Sequence, residues 1–377
     1  MSVFRFLRRS RKDANEVVVV GSGLAAGAIA LELARRRCAV TVLEQPSPPA
    51  GPPRPPGLGL VALGPGRPYD RVVSALGHPA ARSVWEAGSR NRELLRELLE
   101  ELGHDCGLQA RGSFLLAADR EEAESLAQSE DMLRDDDFPG EFLDHYMLET
   151  HFDVSGFTGA YWAADDLELD EAELRAAAVA AARAAGAVFR TGRVLGLDAG
   201  EAGVVLTTDD VAVRASRVVV AADGVASAVL PGLRPRLLTV ASARLHVATA
   251  AGASLPGAAR TADGRIAWQA SATGLTLAAT GAGPAGTEGE DPDDLEALAS
   301  RLAATPGSDR RWTDSAGWVA DGLPIVGRLA GQPLAVACGL GPHEASLAFV
   351  AARWVAEAVL TGSDPTPGPF RVGRVQV

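Results

Sequence analysis

The sequence predicts an α/β protein with two interleaved domains, and three features of the chain lead to this prediction. The run Val17–Val20 is apolar and β-branched throughout, as expected for a strand buried on both faces of a parallel sheet. A glycine-rich turn, an alanine-rich helix and a second strand ending at Glu44 follow within about 30 residues, which is a βαβ unit. Residues 237–280 contain short strands with turns between them, which indicates a second, antiparallel sheet.

The remaining elements follow from apolar periodicity and from the residues that start or stop a helix. Residues 46–68 are rich in proline and glycine, so they predict an irregular connection, either a linker or an ordered loop over a cofactor. Asp170 and Glu173 form a capping box that starts a helix ending at Gly186. The other predicted helices cover residues 80–102, 119–135, 293–303 and 342–360, and the other strands residues 112–117, 188–197, 203–207, 211–213, 217–222 and 333–338.

Composition excludes several classes of protein. The chain of 377 residues has a net charge of −12 and a pI near 5.1, so it offers no electrostatic footprint for nucleic acid. No apolar run reaches the ~18 residues of a membrane helix. The three cysteines form no CxxC pair and no Cys/His cluster, which predicts no metal site and no disulfide framework. The basic N-terminus reads as a solvated tail rather than a targeting signal, so the expected location is cytoplasmic.

The turn Gly21-Ser22-Gly23-Leu-Ala-Ala26 has the spacing of a dinucleotide-binding fingerprint. The first glycine allows the tight turn, the second lets the backbone approach a diphosphate, and Ala26 is small enough where helix meets strand. The N–H groups and the partial positive charge of the helix N-terminus favour an anion there. Glu44, at the end of the second strand, suits the ribose hydroxyls. Because FAD and NAD(P) share this half, the turn alone leaves the cofactor open.

The C-terminal part of the chain favours FAD. It reads Asp321-Gly-Leu-Pro-Ile-Val-Gly327, a strand, Cys338-Gly-Leu-Gly-Pro-His343 and a helix, whereas a nicotinamide-dependent dehydrogenase rarely returns its last helix to the cofactor. Together with the glycine turn, these segments resemble the D-amino-acid oxidase family of flavoproteins, which includes glycine oxidase and sarcosine oxidase. The resemblance is carried by VVVVGSGLAAGAIALELARRRCAVTVLE at 17–44, RVVVAADGVAS at 217–227, DGLPIVG at 321–327 and AVACGLGPHEASLAF at 335–349.

The resemblance implies a Rossmann-type FAD-binding domain of the glutathione-reductase type, interleaved with an α+β substrate domain on an antiparallel sheet. The FAD-binding domain would comprise residues 14–80, 155–235 and 310–377, and the substrate domain residues 81–154 and 236–309. FAD would be bound non-covalently, because Asp314 lies about where some relatives carry the cysteine that links to the flavin.

The resemblance also implies roles for individual residues, taken position by position. The diphosphate would be surrounded by Gly21, Ser22, Gly23 and Ala26, and the ribose faced by Glu44 and Gln45. The adenine would meet the backbone of Val194, and the dinucleotide fold would be closed by Ala222 and Gly224. The flavin ring would be lined by Gly322, Leu323, Gly339, Leu340, Gly341 and His343. The last helix would begin near Pro342 and direct its positive end at the flavin pyrimidine.

Departures from the family pattern concern the substrate. Ala316 stands where many relatives hold a carboxylate-binding arginine, so simple α-amino acids are expected to be poor substrates. Another arginine could take over this role, and the candidates are Arg67, Arg71 and Arg311. For His343 two roles stay open, a base or polar contact at the flavin face and a helix-start histidine bonded to backbone.

Other residues are expected to shape the pocket. The predicted substrate pocket is lined by Tyr69, Trp268 and Trp318, with the tryptophans as core or pocket wall. Cys338 is expected to be a buried structural cysteine. Ser346 occupies the place of a lysine in the sarcosine oxidase relatives. The sequence therefore leaves open whether the electron acceptor is O₂ or another compound.

The sequence therefore predicts an FAD-dependent oxidoreductase that oxidises the C–N bond of a small amine or amino-acid-like substrate by hydride transfer to flavin N5. Two alternatives stay open. One is an NAD(P)-dependent dehydrogenase, and the other is a flavin-bearing subunit of a hetero-oligomeric complex. The motifs leave the substrate and the oligomeric state open.

Overall fold

The computed structural model describes residues 16–46, 58–151, 154, 156–200, 202–248, 257–271, 274–279, 292–302, 310–341 and 344–375. These residues form two compact units. The first contains the described residues within 1–51, 173–239 and 317–377, and the second those within 52–172 and 240–316. Both units are discontinuous in sequence, as the predicted interleaved fold requires.

The first unit is built around a six-stranded sheet. Its spatial order is β18 (Ile325–Arg328), β19 (Leu334–Cys338), β12 (Arg217–Val220), β1 (Glu16–Val20), β2 (Ala39–Glu44) and β8 (Val188–Thr191). All neighbours are parallel except β18, which runs antiparallel to β19. The side chains of Val17–Val20 have no exposed surface, because β1 lies in the middle of this sheet.

Helices and a small sheet complete the first unit. The helices are α1 (Leu24–Arg35), α6 (Glu171–Ala184), α7 (Asp223–Val229) and α9 (Glu344–Thr361), and the small antiparallel sheet contains β9 (Val194–Gly200), β10 (Gly203–Thr208) and β11 (Ala212–Ala215). Helix α1 packs against α9, and a Cβ at Gly27 would come within 3.3 Å of Val179 on α6. The predicted start of α6 is confirmed, since Asp170 Oδ1 accepts the N–H of Ala172 at 2.9 Å.

The second unit is built around an eight-stranded sheet. Its order is β17 (Arg310–Val319), β13 (Leu237–Val247), β16 (Gly274–Ala279), β15 (Ile266–Ser271), β14 (Ala259–Thr261), β4 (Ser113–Ala117), β6 (Gly159–Ala163) and β5 (Glu141–Asp144). The pairings from β13 through β5 are antiparallel except for that of β4 with β14. A two-stranded pair, β3 (Leu60–Val61) and β7 (Leu167–Glu168), lies in the same unit.

Five helices belong to the described part of the second unit: α2 (Tyr69–Leu76), α3 (His78–Leu102), α4 (Arg120–Asp135), α5 (His145–His151) and α8 (Pro292–Leu302). The predicted helix over 80–102 corresponds to α3. Helix α2 was not predicted, and Gly77, with a φ of +83°, separates it from α3. Among the described helices, none combines the length and the hydropathy that crossing a bilayer requires.

The two units differ from the predicted domains mainly at two segments. Residues 58–80 and 156–172 were expected in the FAD-binding domain, and both lie in the second unit. Residues 310–316 also lie in the second unit and residues 236–239 in the first, so these two predicted boundaries are a few residues off. Strand β3 pairs with β7, and β6 is inserted between β4 and β5. These pairings connect both segments to the second unit. Strands β3 and β7 have two residues each, and a strand so short has no local sequence pattern by which it could be predicted.

Candidate functional site

Backbone contacts hold the turn between β1 and α1 in place. Gly21 N–H donates to the carbonyl of Leu43 at 3.1 Å, and Ala221 N–H donates to the carbonyl of Val20 at 2.8 Å. A Cβ at Gly21 would collide with the carbonyl oxygen of Ala221. The requirement for glycine at this position therefore has a steric cause in the neighbouring chain segment.

The N-terminus of α1 forms a hydrogen bond with a side-chain carboxylate of the same chain. Gly23 is the N-cap residue, and the first turn of α1 contains no acidic residue of its own. Instead, Glu344 at the start of α9 supplies the charge, because its Oε1 accepts the N–H of Ala25 at 2.8 Å. A Cβ at Gly23 would lie 2.5 Å from the same oxygen. A backbone donor in the turn that the fingerprint assigns to a diphosphate, the N–H of Ala25, thus donates to an oxyanion in this chain, so this turn fits an anionic group.

The predicted ribose end lies where β2 finishes. Gln45 Oε1 accepts the N–H of Val194, and Gln45 Nε2 donates to the carbonyl of Gly192, both at 3.3 Å. The side chain of Gln45 therefore joins the end of β2 to the start of β9. Glu44 is partly buried beside it. The nucleotide contacts of Glu44, Gln45 and Val194 stay predictions.

Asp223 joins strand β17 to the turn after β19 at the other end of the site. Its Oδ2 accepts the N–H of Gly317 at 2.8 Å, and its Oδ1 accepts the N–H of Gly339 at 2.7 Å. Removal from water raises the pKa of this carboxyl group, and the two N–H donors oppose the rise. Sequence analysis singled out the neighbours Ala222 and Gly224 but not Asp223. The available signal was an acidic residue directly after the buried strand β12.

The segments predicted to line the flavin are tight turns. Gly339 and Gly341 have φ values of +71° and +46°, and a Cβ at Gly339 would lie 2.5 Å from Cγ2 of Val319. Leu323 and Leu340 are buried. Pro342 and His343 lie outside the described residues, so both roles considered for His343 stay predictions.

Arg374 holds the turn that begins with Asp321. Its Nε donates to Asp321 Oδ2 at 2.9 Å, and its two terminal nitrogens donate to the carbonyls of Leu323 at 2.6 Å and Pro324 at 2.9 Å. A guanidinium suits this task because it presents several donors in a fixed plane. Sequence analysis missed Arg374, since it belongs to no motif and lies about 50 residues from its partners.

Cys338 is fully buried at the end of β19, and its Sγ donates to the carbonyl of Val220 at 3.3 Å. Burial raises the pKa of the thiol, and the nearby carboxylate of Asp223 adds to the rise. Cys338 is therefore held as a protonated thiol, and the expectation of a buried structural cysteine is confirmed.

The second unit encloses a small cavity of about 40 Å³. Its lining includes Tyr69, Trp85, Ser113, Tyr161, Asp166 and Arg260. Asp166 accepts the hydroxyl of Ser113 at 2.6 Å and the N–H of Leu63 at 3.0 Å, and a terminal nitrogen of Arg260 lies 3.7 Å away. Burial raises the pKa of Asp166, while the charge of Arg260 opposes this rise.

The three predicted pocket residues lie in different surroundings. Tyr69 lines the cavity and donates its hydroxyl to Asp136 at 2.5 Å. Trp268 is 1% exposed and packs in the hydrophobic core of the second unit. Trp318 is partly buried on β17, in the part of that strand that belongs to the first unit. Their contact with a substrate stays a prediction.

The arginines considered for carboxylate binding also have separate surroundings. Arg71 pairs with Glu121 at 2.7 Å, and Arg311 pairs with Glu296. Arg67 is exposed and contributes to the lining of the cavity.

The family model DAO, described as FAD dependent oxidoreductase, matches residues 16–358. The chain belongs to this family. Membership decides the choice between FAD and NAD(P) that the glycine turn leaves open: this DAO-family protein is an FAD-dependent oxidoreductase. The match also agrees with the N–H donor at the N-terminus of α1, which donates to the carboxylate of Glu344.

Individual relatives share the fold of this DAO-family protein. Glycine oxidase from Geobacillus kaustophilus (strain HTA426) is 27% identical over 210 residues, which are 55% of this chain and 54% of that protein. The chain thus matches about half the length of this curated relative. The crystal structure of glycine oxidase from Geobacillus kaustophilus has a TM-score of 0.76 at 22% identity, over 95% of this chain and 99% of that chain. L-proline dehydrogenase from P. horikoshii has a TM-score of 0.74 at 18% identity, over 94% and 96%. These similarities confirm the predicted fold class.

Proposed function

We propose that this DAO-family protein oxidises the C–N bond of a small amine or amino-acid-like substrate. The observation that carries the proposal is the family match over residues 16–358. Bound FAD would supply the redox chemistry, by accepting at N5 a hydride from the carbon next to nitrogen and passing the electrons to O₂ or another acceptor, and water would hydrolyse the imine product.

The contribution of the chain is binding and orientation. The backbone N–H groups at the start of α1 would hold the diphosphate, and the Glu44 carboxylate would accept hydrogen bonds from the ribose. Asp223 accepts hydrogen bonds from the backbone at Gly317 and Gly339, so it holds strand β17 and the turn after β19 together. Preorganised backbone of this kind lowers the cost of placing the reacting atoms.

Simple α-amino acids are expected to be poor substrates, and the substrate is an amine, a larger modified amino acid, or one that a different arginine holds. Ala316 lies on β17 where the family resemblance implies a carboxylate-binding arginine, and both Arg71 and Arg311 already pair with glutamates. Loss of a charged bidentate contact costs on the order of 2 to 4 kcal/mol, or about 30- to 1000-fold in kcat/KM. We therefore expect amines to exceed the matching amino acids.

Steady-state kinetics test this expectation. The measured quantity is kcat/KM for glycine, sarcosine and several D-amino acids, each against the amine that its decarboxylation would give. A clear preference for the amino acids would mean that the pocket does contain an anion site, and would contradict the interpretation of position 316.

Spectroscopy tests the activity class. The purified protein is expected to be yellow, to release its flavin on mild acid denaturation and to bleach anaerobically with amines. Flavin that stays on the denatured chain would contradict non-covalent binding, and a colourless protein that takes up no added FAD would contradict cofactor use. Copurification of a second chain, with no amine oxidation by this chain alone, would favour the role of a flavin-bearing subunit.

A glycine substitution locates the diphosphate. Gly23→Val is expected to abolish FAD retention, because its side chain would fill the space beside Ala25 N–H that the diphosphate needs. The matched control is Gly196→Val in β9, where the nearest atom to an added Cβ is 3.6 Å away. Normal flavin content in folded Gly23→Val protein would show that the diphosphate lies elsewhere.

A further inference from the structure

Glu344 lies at the place where the fingerprint puts the diphosphate. It is the first residue of α9, and 319 positions separate it from Ala25, whose N–H its Oε1 accepts at 2.8 Å. The same oxygen is the nearest atom to a Cβ built on Gly23, at 2.5 Å. Two independent residues of the fingerprint therefore face this one carboxylate.

The physical reason for this contact is the field of α1. The first turn of α1 carries no acidic residue, and its N-cap residue Gly23 has no side chain to accept a hydrogen bond. A helix N-terminus carries partial positive charge and unsatisfied N–H groups, so a nearby anion is stabilised there. Glu344 supplies that anion from another helix.

A carboxylate and a diphosphate cannot share these donors. Both are acceptors only, both are negative, and the two would lie within hydrogen-bond distance of the same N–H. We propose that Glu344 is a built-in competitor of FAD: its carboxylate binds the N-terminus of α1 and must move aside before the diphosphate binds. The proposal rests on the FAD site at α1 that the proposed function uses.

The side chain of Glu344 is suited to such a movement. The close approach to Gly23 involves the far end of a flexible side chain and no backbone atom. Glu344 is also partly exposed, so water lies beside its side chain.

The competition has two consequences of opposite sign. The contact between Glu344 and the N-terminus of α1 stabilises the FAD-free protein, and it is lost when FAD binds. The apparent affinity for FAD is therefore weaker by the factor that corresponds to the free energy of this contact. Removing the charge should therefore strengthen FAD binding and weaken the FAD-free protein at the same time. A carboxylate that merely builds the site would give losses in both.

The test uses the full-length protein and the variant Glu344→Gln, which keeps the shape of the side chain and removes its charge. FAD is titrated into FAD-free protein with flavin fluorescence as the readout, and Tm is measured without and with saturating FAD. We expect the Kd for FAD to fall about 5- to 30-fold and the Tm of the FAD-free form to fall. Glu344→Ala is the second variant and is expected to act in the same direction.

The matched control is Glu357→Gln on the same helix. Glu357 pairs with Arg36 at the far end of α1, so this variant removes one negative charge without touching the N-terminus. Its Kd for FAD is expected to stay within about 2-fold of the wild type, since exposed pairs contribute little.

The possible outcomes separate the proposals. An unchanged or higher Kd in both Glu344 variants would overturn the competition, and an equal fall in Kd in Glu357→Gln would reduce it to an effect of net charge. A wild-type protein that takes up no FAD would instead contradict the cofactor site itself, and the competition with it.

Discussion

Each of the two units buries a carboxylate, and the two units compensate its lost hydration in different ways. In the first unit, Asp223 accepts two backbone N–H groups, from Gly317 and Gly339. In the second, Asp166 accepts the hydroxyl of Ser113 and lies 3.7 Å from the guanidinium of Arg260. Asp223 therefore has backbone partners on both oxygens, whereas Asp166 has one backbone donor, the N–H of Leu63, and otherwise depends on side chains that single substitutions can remove.

The difference teaches which changes each unit tolerates. Both donors to Asp223 are backbone groups of glycines, so the site is sensitive to a change of Asp223 itself and to a side chain at Gly317, whose Cβ would collide with the Asp223 carboxylate. The site around Asp166 is equally sensitive to its partner, because a buried charge that loses its counter-ion keeps its full desolvation penalty.

The largest effect is expected for Arg260→Met. It leaves Asp166 buried without its counter-ion, and we expect the free energy of unfolding to fall by about 3 kcal/mol. Urea titration measures the change. The control is Arg120→Met, since Arg120 and its partner Glu124, 2.7 Å away, are both exposed, and a loss below about 1 kcal/mol is expected there. Equal losses in both variants would show that Asp166 does not depend on Arg260 as a buried counter-ion.

The loss caused by Arg260→Met should depend on pH. The pKa of Asp166 is already above its ordinary value of 3.8, so the folded state holds this proton more tightly than the unfolded state, and stability falls as pH rises through that window. Without the charge of Arg260, the pKa rises further and the window extends to higher pH. We therefore expect a smaller loss at pH 5 than at pH 8, and a loss independent of pH would contradict this account.

A smaller effect is expected for Asp223→Asn. The amide keeps one acceptor and turns a donor towards the second backbone N–H, so one hydrogen bond is lost and two donors face each other. The expected loss of unfolding free energy is about 2 kcal/mol. Asp209→Asn is the control, because Asp209 is exposed and accepts a single backbone N–H, that of Arg193, at 3.0 Å. A loss no larger than in the control would show that Gly317 and Gly339 do not depend on the carboxylate.

The smallest effect is expected for Tyr69→Phe. Burial favours a higher pKa for Asp136, but hydrogen bonds from Tyr69, His78 and Arg82 lower the pKa overall. Because the substitution removes only the hydroxyl of Tyr69, the other two partners of Asp136 remain. We expect a loss of about 1 kcal/mol in urea unfolding, against no more than about 0.5 kcal/mol for exposed Tyr146→Phe. A loss above that of Arg260→Met would reverse the proposed order.

The elements that sequence analysis predicted are those with a local physical signature. The buried strands β1, β12 and β19 are uninterrupted apolar runs, and the start of α6 at Asp170 is a side-chain cap. The fingerprint at Gly21 is local in the same sense, because turn, helix and strand are contiguous. Helix α2 carries no such signature, since it has only eight residues.

The polar contacts of the site have no local signature. Asp223 lies 94 and 116 positions from the two glycines that it binds, and Glu344 lies 319 positions from Ala25. No spacing rule connects residues so far apart, because their proximity results from the strand order of the completed sheet. The residue types were visible in the sequence, while their partners required the fold.

The central position of β1 has a consequence for synthesis on the ribosome. Val17–Val20 are made before their partners on one side, Arg217–Val220, which follow about 200 residues later, roughly 10 to 40 s at the usual rates. Until then one edge of an apolar strand stays unpaired in the nascent chain. Neither unit is complete before most of the other has been made, so productive folding depends on shielding these valines from other emerging chains.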